Sequence, residues 1–288
     1  MTLYDKLMNW PTPEIRQDLS ARDTMLYALG VGLGADPLDE RQLRFVYEKN
    51  LVALPTMAVV LAYPGFWMGD PAVGVNWKKI LHGEQGIVIH KPIPASGRLI
   101  GRSRVTQIVD KGADKGAIVF SDRDILMEET GEKIATLTGA SFLRGDGGHG
   151  GGDARWTQPA PEPHALPARA PDVVCDLPTL PQAALIYRLS GDYNPLHAEP
   201  AVAVAGGFKA PILHGLCTLG VAGHAILRAM CDYDPTRLKS LKLRFSSPVY
   251  PGETIRTEMW KDGGVVSFRA RVVERDVVVL NNGHATVA

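Results

Sequence analysis

The sequence predicts an α+β protein made of two tandem copies of one unit, each an antiparallel sheet wrapped around a central helix. Three observations carry this expectation. From Gln85 onward, short runs rich in β-branched residues (Gly86 to His90, Arg98 to Val109, Gly116 to Asp124, Lys133 to Phe142) are set apart by Pro, Gly and Asp turns. That is the texture of antiparallel strands. Gly145 to Gly152 and the proline-rich Pro159 to Pro181 then form a low-complexity stretch, expected as an exposed linker. After it, the second half repeats the order of the first.

The repeat is legible residue by residue. Leu26-Tyr27-Ala28-Leu29-Gly30 matches Ile186-Tyr187-Arg188-Leu189-Ser190, and Asp36-Pro37-Leu38-Asp39 matches Asn194-Pro195-Leu196-His197. Arg22 to Gly30 carries an apolar face at Met25, Leu26 and Leu29 and reads as a helix. Ala53 to Tyr63 reads as a buried helix stopped by Pro64-Gly65, the counterpart of the one that begins at Gly215. Lys91 to Gly97 matches Ser247 to Glu253, both read as strand runs, and Asp110-Lys111-Gly112 pairs loosely with Lys261-Asp262-Gly263. Ile80-Leu81-His82-Gly83 looks like Ile212-Leu213-His214-Gly215. The first lies directly before its strands, however, and a whole helix separates the second from its own, so they are not counterparts. Two helices, each wrapped by antiparallel strands, describe a double hotdog: an N-terminal unit over 1–144, a linker over 145–181 and a C-terminal unit over 182–288.

Two glycine-rich strings invite other readings and lose. Gly30-Val31-Gly32-Leu33-Gly34 has no strand before it and no βαβ unit around it, as a dinucleotide fingerprint requires. His149-Gly150-Gly151-Gly152 resembles an esterase oxyanion loop, but the chain has no Gly-x-Ser-x-Gly nucleophile elbow.

Bulk composition narrows the partners. The 288 residues are 45% hydrophobic and 22% charged, with 31 basic and 31 acidic side chains, so neither nucleic acid nor an anionic membrane is expected as the main partner. No window reaches the roughly 18 apolar residues of a membrane span. Met1 to Pro13 lacks a secretory pattern and Thr286-Val287-Ala288 is not a peroxisomal signal of the Ser-Lys-Leu type. Cys175, Cys217 and Cys231 have no metal spacing and read as buried thiols in a reducing compartment. A cytoplasmic protein is the expectation.

The chemistry concentrates between Tyr187 and Leu227. Asp192 and His197 lie in a turn-rich segment where Gly191, Asn194 and Pro195 interrupt any regular helix. A carboxylate and an imidazole held that close share one water molecule and move its protons. Gly215 opens a long apolar helix, whose first N–H groups suit negative charge developing on oxygen. Acid–base pair plus oxyanion donor is the minimum kit for adding water to a polarised double bond. The first copy has Asp39 where the second has His197, and nothing acidic stands opposite Asp192, so it is expected to shape the substrate without chemistry. Blander roles compete: Asp192 and Asn194-Pro195 as turn formers, His214 as a helix cap or packing group, Lys111 as a turn cation, Phe245 as a core aromatic.

With these residues in view, the chain resembles the hydratase 2 family of (R)-specific 2-enoyl-CoA hydratases and MaoC-like dehydratases, which includes the hydratase domain of peroxisomal multifunctional enzyme type 2. The likeness runs from about Tyr27 to Val287. It rests on Tyr187 to His197, on Pro211 to Leu216, on Leu81-His82-Gly83-Glu84-Gln85 and Asp110-Lys111-Gly112, and on Arg244 to Gly252. The resemblance implies Asp192 and His197 as catalytic pair, Asn194 lining the thioester end and the Gly215 amide as oxyanion donor. It implies acyl-CoA contacts at His82, Gly83, Lys111 and Phe245, with Lys209 and Lys242 as weaker phosphate candidates. The implied reaction is reversible hydration of trans-2-enoyl-CoA to (3R)-3-hydroxyacyl-CoA, without metal, flavin or nicotinamide, in a homodimer. A hotdog acyl-CoA thioesterase and a non-catalytic acyl-CoA or acyl-carrier binder are the alternatives. Release of free CoA marks the first, and binding without turnover marks the second.

Overall fold

The structure, a computed structural model, describes residues 2–288. The helices are α1 (Leu3–Met8), α2 (Ala21–Gly30), α3 (Glu40–Val46), α4 (Ala183–Tyr187), α5 (Pro200–Ala205) and α6 (Gly215–Met230). The first five strands are β1 (Ile15–Leu19), β2 (Ile80–Ile89), β3 (Gly97–Asp110), β4 (Ala117–Met127) and β5 (Lys133–Leu143). The second five are β6 (Val173–Pro178), β7 (Leu238–Phe245), β8 (Thr254–Asp262), β9 (Val265–Val272) and β10 (Val277–Val287).

All ten strands join one antiparallel sheet in the order β1-β3-β4-β5-β2-β7-β10-β9-β8-β6. From either edge the order of roles is the same, β1-β3-β4-β5-β2 answering β6-β8-β9-β10-β7. The duplication read in the sequence is therefore a duplication in space. The halves join at β2 and β7, paired from Glu84 opposite Arg244 to Val88 opposite Ser240. This seam satisfies backbone groups that two separate sheets would leave as open edges. The fold is the expected double hotdog, with its two sheets fused into one.

The two units differ in their helices. Twelve of the 16 residues of α6 are buried, as expected of a helix that is apolar all round and runs through a core. Among the described residues the first half has no such helix. Ala53 to Tyr63, expected as its counterpart, forms only a 3₁₀ turn at Pro55–Val60. The reason lies in α6, which serves both halves. A Cβ on Gly223 would lie 2.3 Å from Cγ2 of Thr56, and one on Gly220 would lie 2.5 Å from Val31 and 3.0 Å from the Tyr27 hydroxyl. The first half packs directly onto the glycine face of the second half's helix, where a full helix of its own would not fit. Repeat counterparts also meet in this region: the rings of Tyr27 and Tyr187 are 5.9 Å apart.

Two further expectations change. Lys91 to Gly97 and Ser247 to Glu253 are equivalent in position, leading into β3 and β8, but apart from Gly97, where β3 begins, they are loops rather than strands. Their prolines (Pro92, Pro94, Pro248, Pro251) lack the N–H a ladder needs. The segment 145–181 is not all exposed linker. Its end supplies β6, which pairs with β8 from Val173 opposite Met259 to Pro178 opposite Thr254. Its glycine-rich start folds back onto the first half, where the Asp110 carboxylate accepts from the N–H groups of Gly148 (2.8 Å) and Gly150 (3.1 Å). Trp156 is buried there, edge-on to Tyr4. Among the described residues no helix is long and apolar enough to cross a membrane.

Candidate active site

Two consecutive side-chain turns build the Asp192–His197 segment. Asp192 Oδ1 accepts from the N–H of Asn194 at 3.2 Å, and Asn194 Oδ1 accepts from the N–H of Leu196 at 3.0 Å, capping a 3₁₀ turn at Pro195–His197. Gly191, at φ +122°, makes the entry that a side chain would strain. Asn194 thus uses one lone pair of its oxygen on the turn and is exposed, with its amide nitrogen unbound among the described residues.

His197 is buried, and its Nδ1 lies 2.8 Å from the carbonyl oxygen of Ile212. Only a protonated Nδ1 makes that bond, so the neutral ring carries its lone pair on Nε2. Burial pushes the imidazole below its ordinary value, partly opposed by the Ile212 carbonyl and the Asp192 charge. Asp192, His197 and His214 each bring one polar atom into a group in which all lie within 4.8 Å of one another. A carboxylate and two imidazoles so close are a donor set for a metal ion. The rings of His197 and His214 are stacked, however, with centroids 3.7 Å apart and planes 25° from parallel. Lone pairs lie in the ring planes, so those of stacked rings run side by side rather than converge. The arrangement suits proton transfer better than ligation.

His214 is the member of this group that the sequence left as a cap or packing residue. It makes no side-chain cap to α6; its Nε2 lies 3.1 Å from the main-chain oxygen of Asp192 instead. Nothing in the sequence separated it from an ordinary helix-start histidine, apart from its place beside Gly215.

Gly215 is the first residue of α6, where N–H groups have no acceptor within the helix. Close approach makes it glycine, since a Cβ would lie 3.1 Å from Cε1 of Phe245. The Phe245 ring in turn sits 4.8 Å from that of His82. His82 rests its Nε2 3.0 Å from the Glu84 carbonyl, and Gly83 falls at an irregularity in the β2–β5 register. The two look-alike His-Gly pairs, one on a strand and one at a helix start, are not repeat counterparts, yet Phe245 bridges them.

His82, Gly83, Lys111 and Phe245 line one cleft of about 1070 Å³, together with Lys115, Arg144 and Arg244 and a wall from Pro159 to Pro163. The last three cations were not picked out in the sequence. Lys115 shares the β3–β4 turn with Lys111, whereas Arg144 and Arg244 are brought in by strand pairing. Asp192, Asn194, His197 and Gly215 do not line this cleft; Gly215 approaches it at the Phe245 ring. Lys242 is held at the cleft's edge by Glu84 (3.3 Å), which also pairs with Arg244 (3.0 Å), while Lys209 lies over the Tyr250 ring.

Two family models match this chain: the MFE-2 hydratase 2 N-terminal domain over residues 18–145 and the MaoC like domain over 163–283. Enoyl-CoA hydratase 2, peroxisomal, of Arabidopsis thaliana is 39% identical over 288 residues, covering 96% of this chain and 93% of that protein. The chain belongs to the MaoC-like hydratase 2 family. Within that family, peroxisomal multifunctional enzyme type 2 of Mus musculus is also 39% identical. The match covers 94% of this chain and 37% of that longer protein. The crystal structure of a MaoC-like dehydratase from Phytophthora capsici superposes with a TM-score of 0.85 at 35% identity, covering 99% of this chain and 98% of that one.

Proposed function

We propose that this hydratase 2 family member adds water reversibly to trans-2-enoyl-CoA thioesters, giving (3R)-3-hydroxyacyl-CoA. The observation that supports the reading is the gathering of Asp192 and His197 within 4.8 Å, with the His197 Nδ1 bound to the Ile212 carbonyl and its Nε2 left as the proton acceptor. In this mechanism the thioester oxygen accepts from the Gly215 N–H, which draws electron density away from C3. His197 Nε2 takes a proton from a water whose oxygen bonds to C3. The Asp192 carboxylate accepts that proton from His197 and delivers it to C2, so the pair is restored with one water consumed. The CoA moiety occupies the cleft, where Lys111, Lys115, Arg144 and Arg244 stand alongside Glu84, Asp114 and Glu162. The proposed reaction calls for no metal, flavin or nicotinamide, and dialysis against a chelator should leave the rate unchanged.

The test is the hydration of crotonyl-CoA, followed by loss of enoyl absorbance, in Asp192→Asn and His197→Gln. Positioned acid–base groups contribute about 10²–10⁴-fold, and losses of that size are expected in both variants with the fold intact. Wild-type rates in either would end the assignment. A thiol reagent added to the same assay reads free CoA. Its release would transfer the chain to the thioesterase class.

The first half, with a short turn in place of a long helix, is proposed to receive the acyl tail, so medium, long or branched chains are preferred to crotonyl. The homodimer implied by the family is likewise a proposal, tested by light scattering. The cytoplasmic expectation draws no support from the two curated relatives, whose names place them in peroxisomes. The three free buried cysteines favour a reducing compartment.

A further inference from the structure

His214 touches both members of the acid–base pair, and in different ways. To Asp192 it is joined by a hydrogen bond from Nε2–H to the main-chain oxygen, 3.1 Å away. To His197 it presents its ring face at 3.7 Å. His214 is 1% exposed, and its Nδ1 is buried without a hydrogen-bond partner among the described residues. An orphaned buried nitrogen costs on the order of 1–3 kcal/mol, so a purely structural account would favour an apolar ring at this position. Tyr187 backs the imidazole, with ring centroids 5.1 Å apart.

We propose that His214 is the positioning residue of this site, its Nε2–H fixing the Asp192 main chain while its ring face fixes the plane of the His197 imidazole. This rests on the reading of Asp192 and His197 as the acid–base pair. The two contacts set the carboxylate and the imidazole relative to each other through one rigid ring, and they tie both to the start of α6. The oxyanion donor is the next residue, so acid, base and oxyanion donor share one frame. A displacement of about 1 Å in such a frame is worth on the order of 10²-fold in rate.

His214 also keeps water from one face of His197. The charged and titratable groups around the stacked pair are Asp192 on the turn, Tyr187 on α4 and Arg188 beside it. Burial and the second imidazole both disfavour protonating His214, and Arg188 works in the same direction. At neutral pH His214 is therefore an uncharged ring, and it acts through position and desolvation rather than charge.

Two variants of the full chain separate these contacts. His214→Phe keeps a flat ring on His197 and loses the bond to Asp192, whereas His214→Asn keeps a donor and loses the ring. For both, kcat on a trans-2-enoyl-CoA is expected to fall about 10- to 100-fold with KM nearly constant. In His214→Asn the acid limb of the kcat profile should also move to higher pH, because water now solvates His197 and makes it easier to protonate. Unchanged kcat and an unmoved profile, with only the melting temperature lowered, would reduce His214 to a packing residue. If neither variant folds, ¹⁵N NMR of the wild-type chain decides. The proposal needs the proton on Nε2 of His214 and on Nδ1 of His197, and the opposite tautomer on His214 overturns it. Failure of the underlying pair registers separately, as wild-type turnover in Asp192→Asn or His197→Gln.

Discussion

The Nδ1 of His197 lies 2.8 Å from the main-chain oxygen of Ile212, and this one bond leaves the lone pair of the neutral ring on Nε2. Since the base must be neutral, hydration should rise with pH through the pKa of His197 and level off above it. Burial sets that value below the ordinary imidazole pKa of ~6.5. The acid limb of kcat for the wild-type enzyme is accordingly expected below pH ~6.5. An acid limb clearly above that point would show that the base is not this histidine.

Gly215→Ala should damage catalysis more than folding. The added methyl lies 3.1 Å from the Phe245 ring, which must move to accept it and carries the neighbouring His82 ring with it. Loss of an oxyanion donor costs about 10²–10³ in kcat, and a displaced donor should approach the lower figure. Steady-state kinetics beside a thermal melt checks this. A full-rate Gly215→Ala enzyme would remove the amide from the mechanism.

Gly223→Ala tests whether α6 serves both halves. Its methyl would fall 2.3 Å from Thr56 of the first half, with α6 packed on every side. Overpacking of this kind costs typically about 1–3 kcal/mol. Urea unfolding should read that loss as a lower midpoint at constant slope. An unchanged midpoint would mean that the halves are not pressed together there.

Acid should destabilise the chain before its carboxylates titrate. His197, His214 and His224 are all buried, and burial lowers each of them, His224 to about 4 with its Nδ1 3.1 Å from the Val31 carbonyl. These rings are neutral when folded and bind protons more readily when unfolded. Stability is therefore full above the ordinary imidazole value of ~6.5 and falls as pH drops from there through the depressed folded values. Melting temperatures measured from pH 8 down should begin to fall near pH ~6.5, and His224→Gln should flatten that slope. A melt independent of pH over this range would contradict the burial of these rings.

Lys111→Ala should raise KM for the CoA thioester several-fold while kcat is nearly unchanged, and the effect should shrink in high salt as the remaining cleft cations are screened. With a CoA-free thioester analogue the variant and wild type should match. Equal KM values on the CoA substrate would take Lys111 out of the cleft's function.

Four strands of the first half, the duplication and the turn that carries Asp192 and His197 were legible in the chain, because each depends on local spacing. Turn formers lie every few residues around Asn194-Pro195, β-branched runs alternate between glycine turns, and Tyr27 repeats as Tyr187. What lies far apart in sequence was decided only by packing. The stacking of His214 on His197 depends on where α6 begins relative to a turn 17 residues earlier. The collapse of Ala53–Tyr63 into a 3₁₀ turn depends on glycines more than 150 residues away. A helix pattern states that a segment is able to coil. Whether there is room for it to do so is settled by the surface it packs against, and here that surface belongs to the other half of the molecule.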